Sequence, residues 1–294
     1  MDNIRGSILM VLAMLGFALE DMFIKQMAGT LPVGQILILL GIGGALIFGT
    51  LARVYGDPLL SRALLHPAVI LRNTGEVVGT LGYVLAIALT PLSSASAILQ
   101  ATPLVVTMGA ALFLGETVGW RRWAAVSVGL CGVLLVIRPG LDGFDANSLF
   151  AVQGVIGLAI RDLATRRVPA HITSRQLSTY AFVIVIPTGA AMLFFNLAGQ
   201  TPVMPDTENT LRMVLAIIAG VGGYYAIVAA TRIGDLSMIA PFRYTRLIFA
   251  LIIGFLVFGE RPDLLTLIGA GVIVSSGIYT FWREARLRRT SLAS

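Results

Sequence analysis

Ten apolar segments follow one another along the chain, and they constrain its fold more than any other feature of the sequence. A helix needs about 20 residues to cross the hydrocarbon core of a bilayer, and its backbone groups must be hydrogen-bonded inside the segment. The segments therefore predict ten transmembrane helices in an all-α integral membrane protein. They lie near residues 6–27, 33–54, 67–89, 92–114, 119–138, 147–167, 174–197, 210–231, 234–258 and 263–283.

Composition supports this interpretation and excludes several classes of function. Hydrophobic residues make up 57% of the sequence and charged residues 12%, and that charged share is about half the usual level of soluble domains. The single cysteine, Cys131, excludes a disulfide framework and a cysteine-based zinc site. The sequence contains no phosphate-binding loop, no metal-ligand motif and no paired catalytic motif. We therefore expect no cofactor, no metal and no enzymatic activity.

The placement of Lys and Arg predicts the orientation of the chain in the membrane. Thirteen of the 21 basic residues fall in tails and connections on the side of the N-terminus, and three fall on the opposite side. Positive charge is concentrated in cytoplasmic loops. Both termini are therefore predicted to be cytoplasmic in a multi-pass protein of the cell (inner) membrane. The basic residues form no patch in the sequence, so the net charge of +6 does not indicate nucleic-acid binding.

The two halves of the sequence resemble each other. Shifting the chain by 141 residues places GFALEDMFIK (16–25) on GLAIRDLATR (157–166), with apolar, glycine and charged positions in register. The same shift places Tyr83 on Tyr224. One constant shift that aligns positions from residue 16 to residue 83 with the second half indicates an internal repeat.

Each half contains five predicted spans. Because five is odd, the second half enters the membrane from the opposite side. The sequence therefore predicts two inverted five-helix repeats around a central cavity, residues 1–140 and residues 141–294. The second repeat ends in a short basic cytoplasmic tail. Inverted repeats are typical of secondary transporters.

Three stretches carry a resemblance to a known family. They are the apolar first helix that ends at Lys25, ATPLVVTMGAALFLGE (101–116) and IAPFRYTRLIFALIIGFLVFGE (239–260). The chain resembles the drug/metabolite transporter superfamily in its ten-helix, two-repeat exporter branch, and is most similar to bacterial exporters of amino acids, aromatic ones included. The resemblance implies export of small metabolites through a central cavity, and we expect alternating access. One departure lies in the second span, where members often carry an Arg and the stretch LLGIGGALIFG (39–49) has none.

Polar residues at helical spacing mark the candidate substrate site. The third predicted span presents Arg72, Glu76, Thr80 and Tyr83 on one face, and Arg72 and Glu76 are spaced to pair with each other. In the ninth span Pro241 lacks an N–H and frees a carbonyl, and interrupted helices near the bilayer midplane often bind substrate. Arginines and tyrosines in an apolar cavity suit a zwitterionic or amphipathic solute. The predicted substrate-binding residues are Glu76, Thr80, Tyr83, Gln100, Tyr224, Arg243 and Tyr244.

Four charged residues in the first and sixth spans are candidates for gating or coupling: Glu20, Asp21, Arg161 and Asp162. A charge at the centre of a bilayer helix costs at least about 2.5 kcal/mol, so such residues normally face protein or water. Asp21 and Lys25 are spaced to neutralise each other, whereas the adjacent Arg161 and Asp162 are predicted to point apart. The carboxylates can carry protons, and a facilitative carrier fits the sequence equally well.

Two other classes of function are compatible with a polytopic membrane protein. A channel or facilitative pore for small amphipathic solutes is one alternative to a carrier. An intramembrane enzyme is the other, and the lack of a nucleophile with a base argues against it. The expected partners are a small-molecule substrate, an amino acid or a related metabolite, and the lipid bilayer. The sequence does not set the oligomeric state, and a monomer fits it.

Overall fold

The computed structural model describes residues 2–60, 62–116, 118–141, 143–195, 201–233 and 239–293 of the chain. Helices account for most of these residues, and no strand occurs in the described ranges. The helices are α1 (Asp2–Ala28), α2 (Val33–Val54), α3 (Pro67–Leu89), α4 (Leu92–Leu99), α5 (Thr102–Phe113), α6 (Trp120–Ile137), α7 (Ser148–Thr165), α8 (Ser174–Phe194), α9 (Thr207–Ile233), α10 (Thr245–Phe258) and α11 (Leu264–Ala293), with 3-10 turns at Arg62–Leu65 and Ala240–Tyr244.

The predicted membrane spans are confirmed as helices. Within the described ranges, nine helical segments are long and apolar enough to cross a membrane. They correspond to nine of the ten predicted spans. The remaining predicted span is the third, which forms α3. This helix has 23 residues but is more polar because it contains Arg72, Asn73 and Glu76.

The ends of several spans differ from the prediction by a few residues. Helix α9 begins at Thr207, slightly earlier than predicted, and α11 continues to Ala293, past the predicted end at 283. Residues 196–197 of the seventh predicted span and residues 234–238 of the ninth lie outside the described residues.

Prolines interrupt two of the spans. The fourth predicted span is divided into α4 and α5, and Pro103 lies in the first turn of α5. In the ninth predicted span the 3-10 turn Ala240–Tyr244 precedes α10, and Pro241 lies in the first positions of that turn. A proline removes one donor from the helical ladder and disfavours the helix before it. The predicted interruption at Pro241 is therefore confirmed.

The helices form two compact units. The first consists of Met1–Met22, Thr90–Leu149 and Ala219–Ser294, and the second consists of Phe23–Leu89 and Phe150–Ile218. Each unit contains helices from both halves of the sequence. The compact units therefore do not coincide with the sequence halves 1–140 and 141–294.

Equivalent glycines allow close helix packing within each unit. In the first unit, a Cβ on Gly16 of α1 would lie 2.8 Å from the Ala219 carbonyl oxygen and 3.0 Å from the Gly223 Cα of α9. In the second unit, a Cβ on Gly157 of α7 would overlap the Gly79 backbone of α3. Gly157 is the residue that the 141-residue shift places on Gly16. The repeat in sequence therefore produces the same small-residue packing in both units.

In the first unit, Glu260 caps the start of α4. Gly259 ends α10 with a left-handed backbone (φ 64°). The following Glu260 carboxylate accepts hydrogen bonds from the Leu92 N–H at 2.6 Å, the Ser93 N–H at 3.0 Å and the Ser93 hydroxyl at 2.7 Å. The first N–H groups of a helix have no partner inside the helix, and the helix dipole favours a carboxylate there. Glu260 therefore fixes the start of an apolar helix.

In the second unit, Asp57 holds the start of α8. Its carboxylate accepts a hydrogen bond from Arg175 Nε at 2.6 Å and one from the Thr173 hydroxyl at 3.1 Å. The hydrogen bond from Arg175 is the largest cause that lowers the pKa of Asp57 below its ordinary value. Thr173 and Gln176 form a capping box at the same helix start. These contacts fix the connection that follows α2.

Helix packing through Gly157 gives a stability prediction. Gly157→Ala should lower the free energy of unfolding by about 1–3 kcal/mol, because the new methyl group must displace the Gly79 backbone. The measurement is the unfolding temperature of the purified protein in detergent. Gly222→Ala is the matched control, since a Cβ at Gly222 in α9 meets no atom within 4 Å. Equal unfolding temperatures for the two variants would contradict the close packing of α3 and α7.

Candidate functional site

In the second unit, four charged side chains meet between α3 and α7. We call Arg72, Glu76, Arg161 and Asp162 the α3–α7 charge cluster. Glu76 is at its centre: Glu76 Oε2 lies 3.5 Å from Arg72 Nη2, and Glu76 Oε1 lies 3.4 Å from Arg161 Nη1. Arg161 Nε also donates a hydrogen bond to Asp162 Oδ1 at 2.9 Å. The cluster is a chain of alternating positive and negative groups.

Helix geometry and a glycine bring the cluster together. Arg72, Glu76 and Thr80 are spaced by four residues and share one face of α3, and the Thr80 hydroxyl donates to Glu76 Oε1 at 3.3 Å. The predicted pairing of Arg72 with Glu76 is confirmed. A Cβ on Gly75 would lie 2.6 Å from the Arg161 backbone nitrogen, so Gly75 lets α7 approach α3. This approach places the Arg161 guanidinium within reach of Glu76.

The prediction that Arg161 and Asp162 point apart was wrong. Adjacent residues in a helix do have diverging Cβ directions. The Arg161 side chain is long enough to bend back, however, and its Nη2 lies 2.8 Å from Asp162 Oδ1. Arg161 therefore pairs with one carboxylate on its own helix and another on α3.

Burial differs across the cluster. The Glu76 side chain is 12% exposed, whereas Arg161 is 27% and Asp162 is 33% exposed. The two arginines and two carboxylates sum to zero net charge, which limits the cost of removing them from water. Because part of the cluster remains accessible, its internal pairs can be exchanged for pairs with a solute.

In the first unit, a second ion pair joins α1 to α10. Arg246 Nη2 donates to Asp21 at 2.8–2.9 Å, and Arg246 Nε donates to Asp21 Oδ2 at 3.1 Å. The Asp21 side chain is 3% exposed, and the Phe17 ring lies 5.4 Å from the Arg246 guanidinium carbon. A two-point arginine–carboxylate contact is among the strongest of protein ion pairs. Asp21 is thus tied to a helix that is 225 residues away in sequence.

Sequence reasoning slightly favoured Arg243 as a site residue and gave Arg246 a structural pairing or a place at the membrane surface. In the structure the Arg243 side chain is exposed at the 3-10 turn, while Arg246 lies one turn further on in the continuous helix α10. The available signal was Asp21 itself: a carboxylate in an apolar span needs a cation, and Arg246 is the basic residue inside α10.

Glu20 lies next to this ion pair without taking part in it. A Cβ on Gly220 of α9 would lie 2.6 Å from Glu20 Oε1, so the carboxylate rests against a glycine. Within the described residues, Glu20 forms no hydrogen bond and no ion pair. Arg246 binds Asp21 at both oxygens, which leaves Glu20 as an additional negative group beside a neutral pair.

Gln100 links the two interrupted spans of the first unit. Gln100 follows α4 and is buried, and its side-chain amide donates to the Arg243 carbonyl oxygen at 3.3 Å. Tyr244 is also buried, against Gly277 and Phe281 of α11, with ring centroids of Tyr244 and Phe281 6.4 Å apart. Gln100 is therefore placed where the helical ladder is broken, and the Tyr244 ring packs against α11.

The predicted substrate residues fall into both units. Tyr83 is buried, with its backbone and Cβ against Gly154 of α7, and Tyr224 is half-buried on α9. Glu76 and Thr80 contact each other directly, and Gln100 contacts the Arg243 backbone. The second unit contains Glu76, Thr80 and Tyr83, and the first contains Gln100, Tyr224, Arg243 and Tyr244.

One open cavity of the first unit is apolar. It has a volume of about 470 Å³ and lies along the 3-10 turn Ala240–Tyr244, α10 and α11. Tyr244 and Thr245 are its polar side chains, among Phe, Leu, Ile, Val and Pro. Such a groove suits hydrocarbon and not a zwitterion. In the described part of the chain, no group of three His, Cys, Asp or Glu residues could hold a metal ion.

Comparison with known proteins identifies relatives with transport functions. The model of the EamA-like transporter family matches this sequence twice, at residues 4–138 and 147–282. The riboflavin transporter of Vibrio cholerae is 30% identical over 203 residues, which cover 68% of this chain and 66% of that protein. The pseudopaline exporter CntI of Pseudomonas aeruginosa is 28% identical over 274 residues, covering 92% and 93%.

The chain is also similar to an uptake transporter and to a solved structure. The S-adenosylmethionine uptake transporter of Rickettsia bellii is 25% identical over 239 residues, covering 79% of this chain and 78% of that protein. A solved structure titled "Crystal structure of protein" is 17% identical with a TM-score of 0.61, and the match covers 97% of this chain and 99% of that one. That structure shows a shared fold.

The Asp21–Arg246 pair gives a second stability prediction. Asp21→Asn and Arg246→Gln should each lower the free energy of unfolding by about 3–5 kcal/mol, because each leaves the other charge buried without its partner. Thermal unfolding in detergent measures this loss, and the double swap Asp21→Arg/Arg246→Asp should recover part of it. Glu208→Gln is the control: Glu208 forms an exposed pair with Arg212, worth less than about 1 kcal/mol. Single variants as stable as Glu208→Gln would contradict the assignment.

Proposed function

Because the chain belongs to the EamA-like transporter family, in the drug/metabolite transporter superfamily, we propose that it exports amino acids and related zwitterionic metabolites, with apolar and aromatic amino acids among them. The family and the named relatives establish the broader function: the chain is a multi-pass membrane protein and a secondary transporter of small metabolites, and it is not an enzyme. The substrate class and the direction of transport are the proposal.

The α3–α7 charge cluster is the observation that supports this substrate class. An amino acid presents one carboxylate and one ammonium group. Arg161 can bind the carboxylate while Glu76 and Asp162 face the ammonium group, so that each charge exchanges one partner for another. The net charge of the site then stays at zero. A singly charged solute would leave an unbalanced charge in a weakly hydrated site, which costs several kcal/mol.

The neighbouring residues suit the rest of such a substrate. Thr80 offers a hydroxyl beside Glu76, and Tyr83 follows one turn later on α3. Tyrosine rings bind an apolar body while the hydroxyl remains available for hydrogen bonding. Most of the other residues of α7 are apolar. An apolar or aromatic amino acid therefore fits this face better than a small polar one.

The proposed direction of transport and the proposed orientation of the chain in the membrane rest on other observations. The relatives include both an exporter and uptake transporters, so we base export on the resemblance of the sequence to the exporter branch. The Lys and Arg distribution supports a cell (inner) membrane location with both termini in the cytoplasm. The proposed cycle is alternating access, in which a central cavity formed by two inverted repeats opens to each side in turn.

Counterflow in liposomes tests the substrate. Purified protein should exchange labelled leucine, phenylalanine or tryptophan faster than empty liposomes do, and Arg161→Gln should weaken apparent affinity by about tenfold or more, because a hydrogen bond to a charged group is worth about 1.5–3 kcal/mol. Arg53→Gln is the control, since Arg53 is exposed at the end of α2. Size-exclusion profiles confirm that each variant is folded. Exchange of riboflavin or S-adenosylmethionine without amino-acid exchange would overturn the substrate class and leave the transporter function intact.

We also propose that Glu20 is the coupling group. The other gating candidates, Asp21, Arg161 and Asp162, are held in ion pairs, whereas the Glu20 carboxylate forms none within the described residues. A carboxylate without a fixed cation can take up a proton in one state of the cycle and release it in another. Glu20 then couples proton movement to substrate movement.

An imposed pH gradient tests this role. The gradient should drive accumulation by the wild type, and Glu20→Gln should abolish the response while counterflow without a gradient continues, because the amide cannot exchange protons. Glu208→Gln, at an exposed carboxylate on the same helix that carries Gly220, should behave as the wild type. A wild type that ignores the gradient would instead indicate a facilitative carrier.

A further inference from the structure

Three arginines line a pocket in the first unit, apart from the residues of the proposed substrate site. The pocket has a volume of about 340 Å³ and is formed where α6 begins and where the apolar part of α11 ends. We call it the arginine pocket. Its lining residues in the described part of the chain are Gly119, Trp120, Arg121, Arg122 and Arg283.

The pocket concentrates positive charge. No carboxylate is among its described lining residues, and the first turn of α6 has no acidic residue. Gly119 precedes α6 and provides no side-chain cap, so the positive end of an 18-residue helix lies at the pocket that the three arginines line. The side chain of Arg122 is mostly buried, since the residue is 8% exposed. Like charges that line one pocket repel one another, and an anion bound between them reduces that repulsion.

The pocket also lies at the level of a membrane surface. Arg283 is the last residue of the spanning segment Leu264–Arg283, and α6 begins its span at Trp120. Trp120 and Trp282 are exposed, and tryptophans at span ends lie in the headgroup region. The Arg121 guanidinium carbon lies 5.4 Å from the Trp120 ring centroid. A cation held over an exposed indole at this depth faces lipid phosphates.

We propose that the arginine pocket binds the phosphate group of an anionic phospholipid. Guanidinium groups match the geometry of phosphate oxygens and bind them at two points, and helix N-termini bind phosphate through free N–H groups. Basic pockets between transmembrane helices are suited to anionic headgroups. Inorganic phosphate has the same chemistry, but the apolar spanning segments of both helices end at the pocket, which places it at the bilayer surface, where lipid phosphates are always present. The inference goes beyond transport, since it concerns a regulatory or structural lipid and not the substrate.

Lipid binding can be measured without transport. The wild type is reconstituted in nanodiscs of phosphatidylcholine with and without phosphatidylglycerol, and the unfolding temperature and the lipids retained in native mass spectrometry are recorded. Phosphatidylglycerol should raise the unfolding temperature and remain bound. Arg121→Gln/Arg122→Gln/Arg283→Gln should weaken its binding by about fivefold for each arginine removed, since one basic residue near a charged surface contributes about 1 kcal/mol.

A matched variant separates a site from general surface charge. Arg5→Gln/Arg53→Gln/Arg62→Gln removes three exposed arginines of the predicted cytoplasmic side and should leave phosphatidylglycerol retention unchanged. If the triple variant does not fold, Arg121→Gln/Arg283→Gln keeps the buried Arg122 and should still lose most retention. Equal losses in the matched variant would overturn the proposal. So would stabilisation of the wild type by inorganic phosphate in phosphatidylcholine alone, because the ligand would then be a free anion.

Discussion

Charged side chains inside apolar helices must find partners, and this requirement organises the described structure. A bare charge in the hydrocarbon core is expensive on any scale, and a cation and an anion that meet across helices reduce this cost for each other. The Asp21–Arg246 pair joins α1 to α10 in the first unit, and the α3–α7 charge cluster joins two helices in the second. The ion pairs thus join the helices that carry the proposed site residues.

Glycines allow close helix packing in both units, and the two units use this packing differently. Gly16 and Gly157 are equivalent in the repeat, and each brings its helix against the backbone of a neighbour. The residue four positions later is Glu20 in the first unit and Arg161 in the second. Arg161 binds Glu76, whereas Glu20 rests on Gly220. A shared backbone arrangement therefore presents a cation in one unit and a carboxylate in the other.

The sequence was informative wherever the signal was local. Apolar length predicted the spans, Pro241 predicted the interruption before α10, and the four-residue spacing predicted the Arg72–Glu76 pair. Contacts between distant segments were not predictable in this way. Asp21 and Arg246 are separated by 225 residues, and no periodicity relates them. The Arg161–Asp162 pair was missed for another reason. The Cβ direction decides which neighbours a short side chain can reach, but the long Arg161 side chain bends back to Asp162.

Charged residues that stabilise the fold differ from charged residues that suit substrate binding in the number of their hydrogen bonds and in their exposure. Glu260 accepts three hydrogen bonds at the start of α4, and Asp21 binds Arg246 at both oxygens. Replacing Glu260 or Asp21 would remove several hydrogen bonds at once, so we expect both residues to stabilise the fold. Arg161 and Asp162 are partly exposed, and Arg161 divides its contacts between Asp162 on its own helix and Glu76 on α3. One such contact can be exchanged for a solute while the others persist, which is the property that a transport site requires: binding strong enough to select and weak enough to release.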